Sequence, residues 1–267
     1  MDKLARGRYL DQIDECIEDA ELIITRSLYV GDQGQNERHC HDNTHLTLIL
    51  SGGYREWRRQ GASDALPGEL LFYHAGEYHQ SLQTRGGSRN LNLEIDPHFF
   101  SGEGLTETAL ATAVAGRPEA KFLFFRMYRE LVAGDADALP SIRLLLLQLV
   151  DGTRPRRRST PSWIPRVEEW LRAEWDSTVS LHELSIVAQV HPVTLSRQFH
   201  AHFACTLGEF RRKLKVEKAI ALMTGPTPRP LTEIAHTCGF ADQSHFTRCF
   251  KTLTGFVPQE YQKLSLR

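Results

Sequence analysis

With 267 residues, 41% of them hydrophobic and 24% charged, the chain has the make-up of a folded globular protein with room for two ordinary cores, which excludes wholesale disorder and a fibrous architecture. Its net charge of -1 hides an asymmetry: basic side chains outnumber acidic ones by three beyond residue 160, whereas the first 160 residues are acidic by four. That split permits a nucleic-acid face on the second half without requiring one. From about residue 21 to 96 the chain reads as strands and turns. Apolar and polar residues alternate most clearly through His45, Leu46, Thr47, Leu48, Ile49 and Leu50. Turn signals recur at Ser51-Gly52-Gly53, Leu66-Pro67-Gly68, Ala75-Gly76 and Arg85-Gly86-Gly87. Short strands at such spacing predict a sandwich or small barrel.

After Pro97 the period becomes helical, over 105–115, 119–132 and 140–150. The last of these, around IRLLLLQLV, is apolar nearly all round and must be buried on several sides. Periodicity leaves open whether its second contact surface is intramolecular or the seam of a homodimer. Residues 151–162, DGTRPRRRSTPS, hold almost no apolar side chains and read as a linker. The predicted organisation is therefore an all-β domain at 1–100, a helical segment packed on it at 101–150 that is the candidate dimerisation segment, the linker, and an all-α domain at 163–267.

Within that last part helices are predicted at 164–174, 181–188, 192–203, 208–223, 231–238 and 243–253, with a short one from Pro258. Ser180-x-x-Glu183 is a capping box, Pro192 suits a first helical position, and Asp242 can cap the helix that begins at 243. HELSIVAQVHPVTLSRQFHAHF and TEIAHTCGFADQSHFTRCFKTL repeat one arrangement of helix, tight turn and helix, with Ala188 and Ala235 at the small-residue positions. In the second repeat Phe246 and Phe250 lie four apart on one face, leaving Gln243, Ser244, Thr247, Arg248 and Lys251 outward. An amide for adenine and a guanidinium for guanine or phosphate at a helix start are what a major-groove reader needs. The first repeat turns Leu195 and Phe199 inward and leaves Val193, Ser196 and Arg197 outside.

The string IAHTCGFADQSHFTRCFKTLTGFVPQEYQ resembles the signature of the AraC/XylS family of transcription regulators, through Ala235, Gly239-Phe240, Asp242-Gln243-Ser244, Phe246, Arg248, Phe250-Lys251, Gly255, Pro258 and Tyr261. The resemblance extends over roughly 163–263. It implies two helix-turn-helix units entering successive major grooves about 34 Å apart, double-stranded DNA as partner, and RNA polymerase as a further one. By position it assigns DNA contacts to Val193, Ser196, Arg197, Gln243, Ser244, His245 and Arg248. Basic positions within 211–218 are read as the solvated side of a central helix, with contact to phosphates as the alternative.

His39, His41 and His45 share odd parity, so an extended strand points them to one face, and His79 lies in a second segment. H-x-H-x3-H with a distant histidine resembles the two cupin motifs, His45 standing where glutamate is usual and His74 where proline is common. This implies a cupin-like barrel binding a small-molecule or metal effector. The donors suit zinc, nickel, copper or iron. Tyr54, Trp57, Arg58, Tyr73, Tyr78, Gln80 and Asn92 are candidate cavity residues, and Cys40 should face the other way. No apolar run reaches the roughly 20 residues a membrane span needs. The acidic N-terminal segment is unlike a secretory leader. The five scattered cysteines, Cys16, Cys40, Cys205, Cys238 and Cys249, suggest a reducing cytoplasm. A metal-dependent cupin enzyme with a DNA-binding tail is the alternative; no general base stands out, and a non-enzyme is expected.

Overall fold

The computed structural model describes residues 2–29, 38–59, 61–83, 87–117, 119–151, 161–177, 179–225, 227 and 229–266. Residues 152–160 of the expected linker, and Arg85 and Gly86 of the fourth turn signal, lie outside the described residues.

The N-terminal half is β-rich: β1 (Asp2–Leu4), β2 (Gln12–Glu18), β3 (Leu22–Tyr29), β4 (His39–His41), β5 (Thr44–Ser51), β6 (Tyr54–Arg58), β7 (Gly61–Ala65), β8 (Leu70–Tyr73), β9 (Gln80–Gln83) and β10 (Ser88–Ile95). A five-stranded sheet runs β2-β3-β10-β5-β8, a three-stranded one β7-β6-β9, and β1 pairs in parallel with β4. Among the described residues the sheets do not close into one continuous barrel; an isolated bridge between His39 and His79 joins β4 to the segment before β9. β1 and β2 precede the region predicted as strands. β2 is an exposed edge whose acidic residues mask its alternation, and Asp14 and Glu15 bind Arg26 of β3 at 2.9 and 3.1 Å. After β5 the chain reverses at Gly52. Its φ of +74° disfavours any side chain, and a Cβ there would lie only 2.0 Å from the Gly87 carbonyl oxygen.

β5 and β10 sort their residues by parity. Leu46, Leu48, Leu50, Leu91, Leu93 and Ile95 are fully buried in the main core, whereas His45, Thr47, Asn90 and Asn92 line a polar cavity on the opposite face. Helices α1 (Pro97–Gly102), α2 (Glu107–Ala115), α3 (Ala120–Ala133) and α4 (Ala138–Asp151) come next. α1 lies outside the helices predicted from periodicity; the Asp96 side chain caps it by accepting from the His98 amide at 2.9 Å, and Pro97 opens it. In α4, Ile142, Leu146, Leu149 and Val150 are buried within the chain, while Leu144 is 67% exposed.

The C-terminal half is helical: α5 (Ile164–Ala173), α6 (Leu181–Ala188), α7 (Pro192–Phe203), α8 (Leu207–Met223), α9 (Leu231–Thr237), α10 (Gln243–Thr254) and α11 (Pro258–Leu266). Its buried residues divide between two cores. Trp163, Val167, Leu171, Leu184, Leu195, Phe199, Phe210 and Leu214 form a compact cluster of their own. Val216, Ile220, Ile234, Phe246, Phe250, Phe256 and Tyr261 instead belong to the same cluster as the β-sheet leucines and α3. The central helix α8 thus gives its first half to one core and its second half to the other. The join to the N-terminal half is specific: Phe125 of α3 meets Tyr261 with ring centroids 5.6 Å apart, and Tyr128 meets Phe256 at 5.1 Å. The Tyr261 hydroxyl donates to the Leu50 carbonyl of β5 at 3.1 Å, Arg126 donates to the Thr252 carbonyl at 3.0 Å, and Arg129 pairs with Glu260.

Candidate nucleic-acid interface and histidine cluster

α6 with α7, and α9 with α10, build the two helix-turn-helix units. Each turn repeats one hydrogen-bond pattern: the Gln189 and Val190 amides donate to the Ile186 and Ser185 carbonyls, as the Gly239 and Phe240 amides do to His236 and Ala235. This register corrects the expected match of Ala188 with Ala235. Ser185, buried with its hydroxyl on the His182 carbonyl at 2.6 Å, is the true counterpart of Ala235. The left-handed turn position falls to Gly239 in the second unit and to Gln189, at φ 56°, in the first. A non-glycine residue there carries backbone strain. Ser180 and Glu183 form the reciprocal capping box at the start of α6, and the Asp242 carboxylate accepts from the His245 amide at 2.6 Å to start α10.

Both second helices bury their aromatic side and expose their polar side. Phe246 and Phe250 have no accessible surface, while Gln243, Ser244 and Arg248 are exposed; Leu195 and Phe199 are buried, while Val193 is 67% exposed and Ser196 and Arg197 face solvent. The side chains of Arg197 and Arg248 have no hydrogen-bond or ion-pair partner among the described residues. Unpaired guanidiniums on an exposed helix face remain available for phosphate or base edges. His245 is different: half-buried, its ring packs edge-on against Phe240 at 5.5 Å and its Nδ1 faces the Ala241 amide at 3.5 Å, so it braces the turn.

The four histidines meet in the N-terminal half. β4 carries His39 and His41, β5 carries His45, and the bridge to His39 brings in His79; all four are buried and line the polar cavity. Donor atoms of His39, His41 and His79 lie within 4.8 Å of one another. His45 stands beside that trio, its ring 4.1 Å from His41, and is stacked at 4.2 Å on Tyr73; its Nδ1 is buried without a hydrogen-bond partner among the described residues. Burial, with His39 close by, pushes the His41 imidazole down to about 4 and the His79 imidazole to about 3. Burial, and after it the nearby His41 and His79, lowers His45 well below its usual range. Neutral imidazoles keep a lone pair for a metal. His79 Nδ1 lies 3.2 Å from the Glu77 carbonyl, the kind of outer contact that holds Nε2 toward a shared ligand. The cavity, at about 50 Å³, suits an ion with a few waters; a drug-sized organic molecule needs roughly 300 Å³ or more.

Tyr54, Tyr73 and Asn92 line this cavity as expected from the sequence, whereas Trp57 is 52% exposed. Arg58 lies behind Tyr73, its guanidinium 4.0 Å from the ring centre and 2.6 Å from Glu56, a buried carboxylate that also accepts from the Tyr73 hydroxyl at 2.6 Å. His74 sits outside, half exposed, against Glu107. No motif or period in the sequence singles out Tyr9 and Asp11, which also line the cavity. Tyr9 lies 5.5 Å from the His41 ring because buried Glu94 accepts from its hydroxyl, from the Gly7 amide and from Asn43, strapping the N-terminal segment across the cluster. Asp11 accepts from Ser27 at 2.7 Å and from Asn90 at 3.1 Å.

A family profile described as a helix-turn-helix domain matches residues 184–264. The helix-turn-helix-type transcriptional regulator YisR of Bacillus subtilis is 22% identical over 227 residues, covering 82% of this chain and 77% of that protein. The helix-turn-helix-type transcriptional activator RhaS of Escherichia fergusonii is 24% identical over 236 residues, covering 85% and 73%. A crystal structure of unsaturated fatty acid bound ToxT from Vibrio cholerae superposes with a TM-score of 0.37 at 11% identity, covering 91% of this chain and 95% of that one. No helix among the described residues is long and apolar enough to cross a membrane.

Proposed function

Through residues 184–264 the chain belongs among the AraC/XylS-type helix-turn-helix transcription regulators, and from that premise we propose that it is a DNA-binding regulator whose N-terminal half senses a divalent transition metal. Double-stranded DNA is the partner of the C-terminal half. Val193, Ser196 and Arg197 of α7 and Gln243, Ser244 and Arg248 of α10 make the contacts, and His245 supports the turn before α10. The observation that carries the sensing is the convergence of His39, His41 and His79 donor atoms within 4.8 Å, with the orphaned Nδ1 of buried His45 next to them. Three imidazoles and a fourth in reserve fit zinc, nickel or iron; the bound ion would supply fixed positive charge to a cavity whose lining also includes the Asp11 carboxyl group. The small cavity volume favours the ion over an organic effector. The sensor resembles a cupin in its histidine pattern, and homodimerisation through the 105–150 helices belongs to the same reading.

A bound ion alters DNA binding only if it stabilises one arrangement of the two halves more than another. Metal analysis of the purified chain tests the reading: stoichiometric zinc, nickel or iron is expected, and His41→Ala and His79→Ala each lower metal affinity by at least about tenfold. Equal metal content in wild type and both variants, or none in any, discards the sensor.

A further inference from the structure

Beside the start of α10 lies a groove lined by Gly208, Arg211, Arg212, Lys215, Phe240 and His245, with no carboxylate among its lining residues. Three cations on one surface repel one another, and an anion joining them relieves that repulsion. The crowding is felt at Lys215, which burial and then Arg211 hold below the ordinary lysine value. The cations are not equivalent. Arg211 donates to the Val179 carbonyl at 3.2 Å and to the Ser177 carbonyl, and Lys215 donates to the Gly239 carbonyl at 2.5 Å. Elsewhere on α8, Lys213 faces Glu119 at 3.9 Å and Lys218 lies over the Trp175 ring. Arg212 alone among these five α8 cations is exposed with neither an ion-pair nor a ring or hydrogen-bond partner among the described residues. Glu209, one turn back, accepts from the amide and hydroxyl of Thr206 at 2.7 and 3.0 Å and feels the Arg212 charge without forming an ion pair with it. Arg212 also borders α10, because it lines the groove together with His245 of that helix. The free charge therefore stands against the second recognition helix.

Resting on the reading that α10 enters the major groove, we infer that Arg212 grips a backbone phosphate bordering that groove, a positioning contact supplied by the central helix and not by either recognition helix. A guanidinium suits a phosphodiester, which it can hold through two parallel hydrogen bonds. Such a contact fixes register on the duplex and carries no sequence information.

The experiment is equilibrium binding of the full chain to a mixed-sequence duplex over a range of salt concentrations. Arg212→Ala flattens the slope of log affinity against log salt by about 1 and weakens binding about three- to tenfold at low salt. Arg212→Lys keeps the charge and restores most of the slope. Arg59→Ala, at an exposed arginine of the N-terminal half, leaves it unchanged. A wild-type chain that does not bind duplex overturns the DNA-binding reading and the inference with it. Wild-type binding with an unaltered Arg212→Ala slope overturns the inference alone. A loss confined to an operator selected from random sequence, at unchanged slope, makes Arg212 a base reader and also overturns it. Inhibition by inorganic phosphate at fixed ionic strength that vanishes in Arg212→Ala, again at unchanged slope, makes the groove a free-anion site and overturns the DNA contact.

Discussion

The two helix-turn-helix units share one design and differ in what stands behind them. α6 and α7 close a core with α5 and the first half of α8. α9 and α10 have no such private core: Phe246 and Phe250 are buried together with Phe125, Tyr128 and the β-sheet leucines. The first unit is in this sense a module attached to the molecule, and the second is part of its centre. The turns reflect the contrast, with Gly239 at the left-handed position of the second unit and a strained Gln189 in the first. The N-terminal half thus has a direct mechanical path to α10, along β5 from His45 to Leu50, across the Tyr261 hydrogen bond and onto Phe250, whereas α7 meets that half at an open groove, where His202 and Phe203 face Leu70 and Leu71.

Core truncation puts this contrast under the greatest stress, and the largest effects are expected there. Phe250→Ala and Phe199→Ala should each cost about 3–5 kcal/mol of the stability of the core they belong to. Hydrogen exchange tells them apart: Phe250→Ala should strip protection from amides of β5 and β10, while Phe199→Ala should loosen α5–α7 and leave those strands protected. Equal loss of β10 protection in both variants would mean one cooperative core and no distinction between the units. Next in size is readout. Arg248→Ala should weaken binding to a selected operator by about 1–3 kcal/mol and relax selectivity at one position, measured by titration against base-substituted operators; unchanged affinity and selectivity would remove Arg248 from the contact set. The smallest effect concerns the anchoring of the second unit. Tyr261→Phe deletes only the hydroxyl that meets the Leu50 carbonyl and should lower stability by about 1 kcal/mol in urea unfolding, with α10 gaining exchange ahead of α7. Unchanged stability would make that contact incidental.

Much of this was legible in the residues. α6 and α7 have the bounds expected from their caps and periods, and α10 ends one residue later than expected, at Thr254, where Gly255 with φ +82° stops it. The shared parity of His39 and His41 placed both on one face of β4 because strand geometry alternates side chains, but the single strand expected to carry His45 as well is broken after His41, and His45 joins them from β5, in another sheet. Periodicity missed the elements with weak local signals: β2, whose acids interrupt its alternation, and α1, whose six residues are too short for a helical period. Tyr9 reaches the histidines only because Glu94, distant in sequence, fastens that segment.

The order of residues alone settles which faces are buried and which side chains can cap, turn or coordinate, because these depend on a period of two or 3.6 and on the chemistry of single residues. It does not settle what each face is buried against. That α10 rests on α3, that α8 is shared between two cores, and that His45 stands beside a trio formed with His79 are outcomes of three-dimensional packing. A hydrophobic stripe is satisfied by any apolar surface of suitable shape, so the partner is selected by the fit between segments as far apart in sequence as Leu50 and Tyr261.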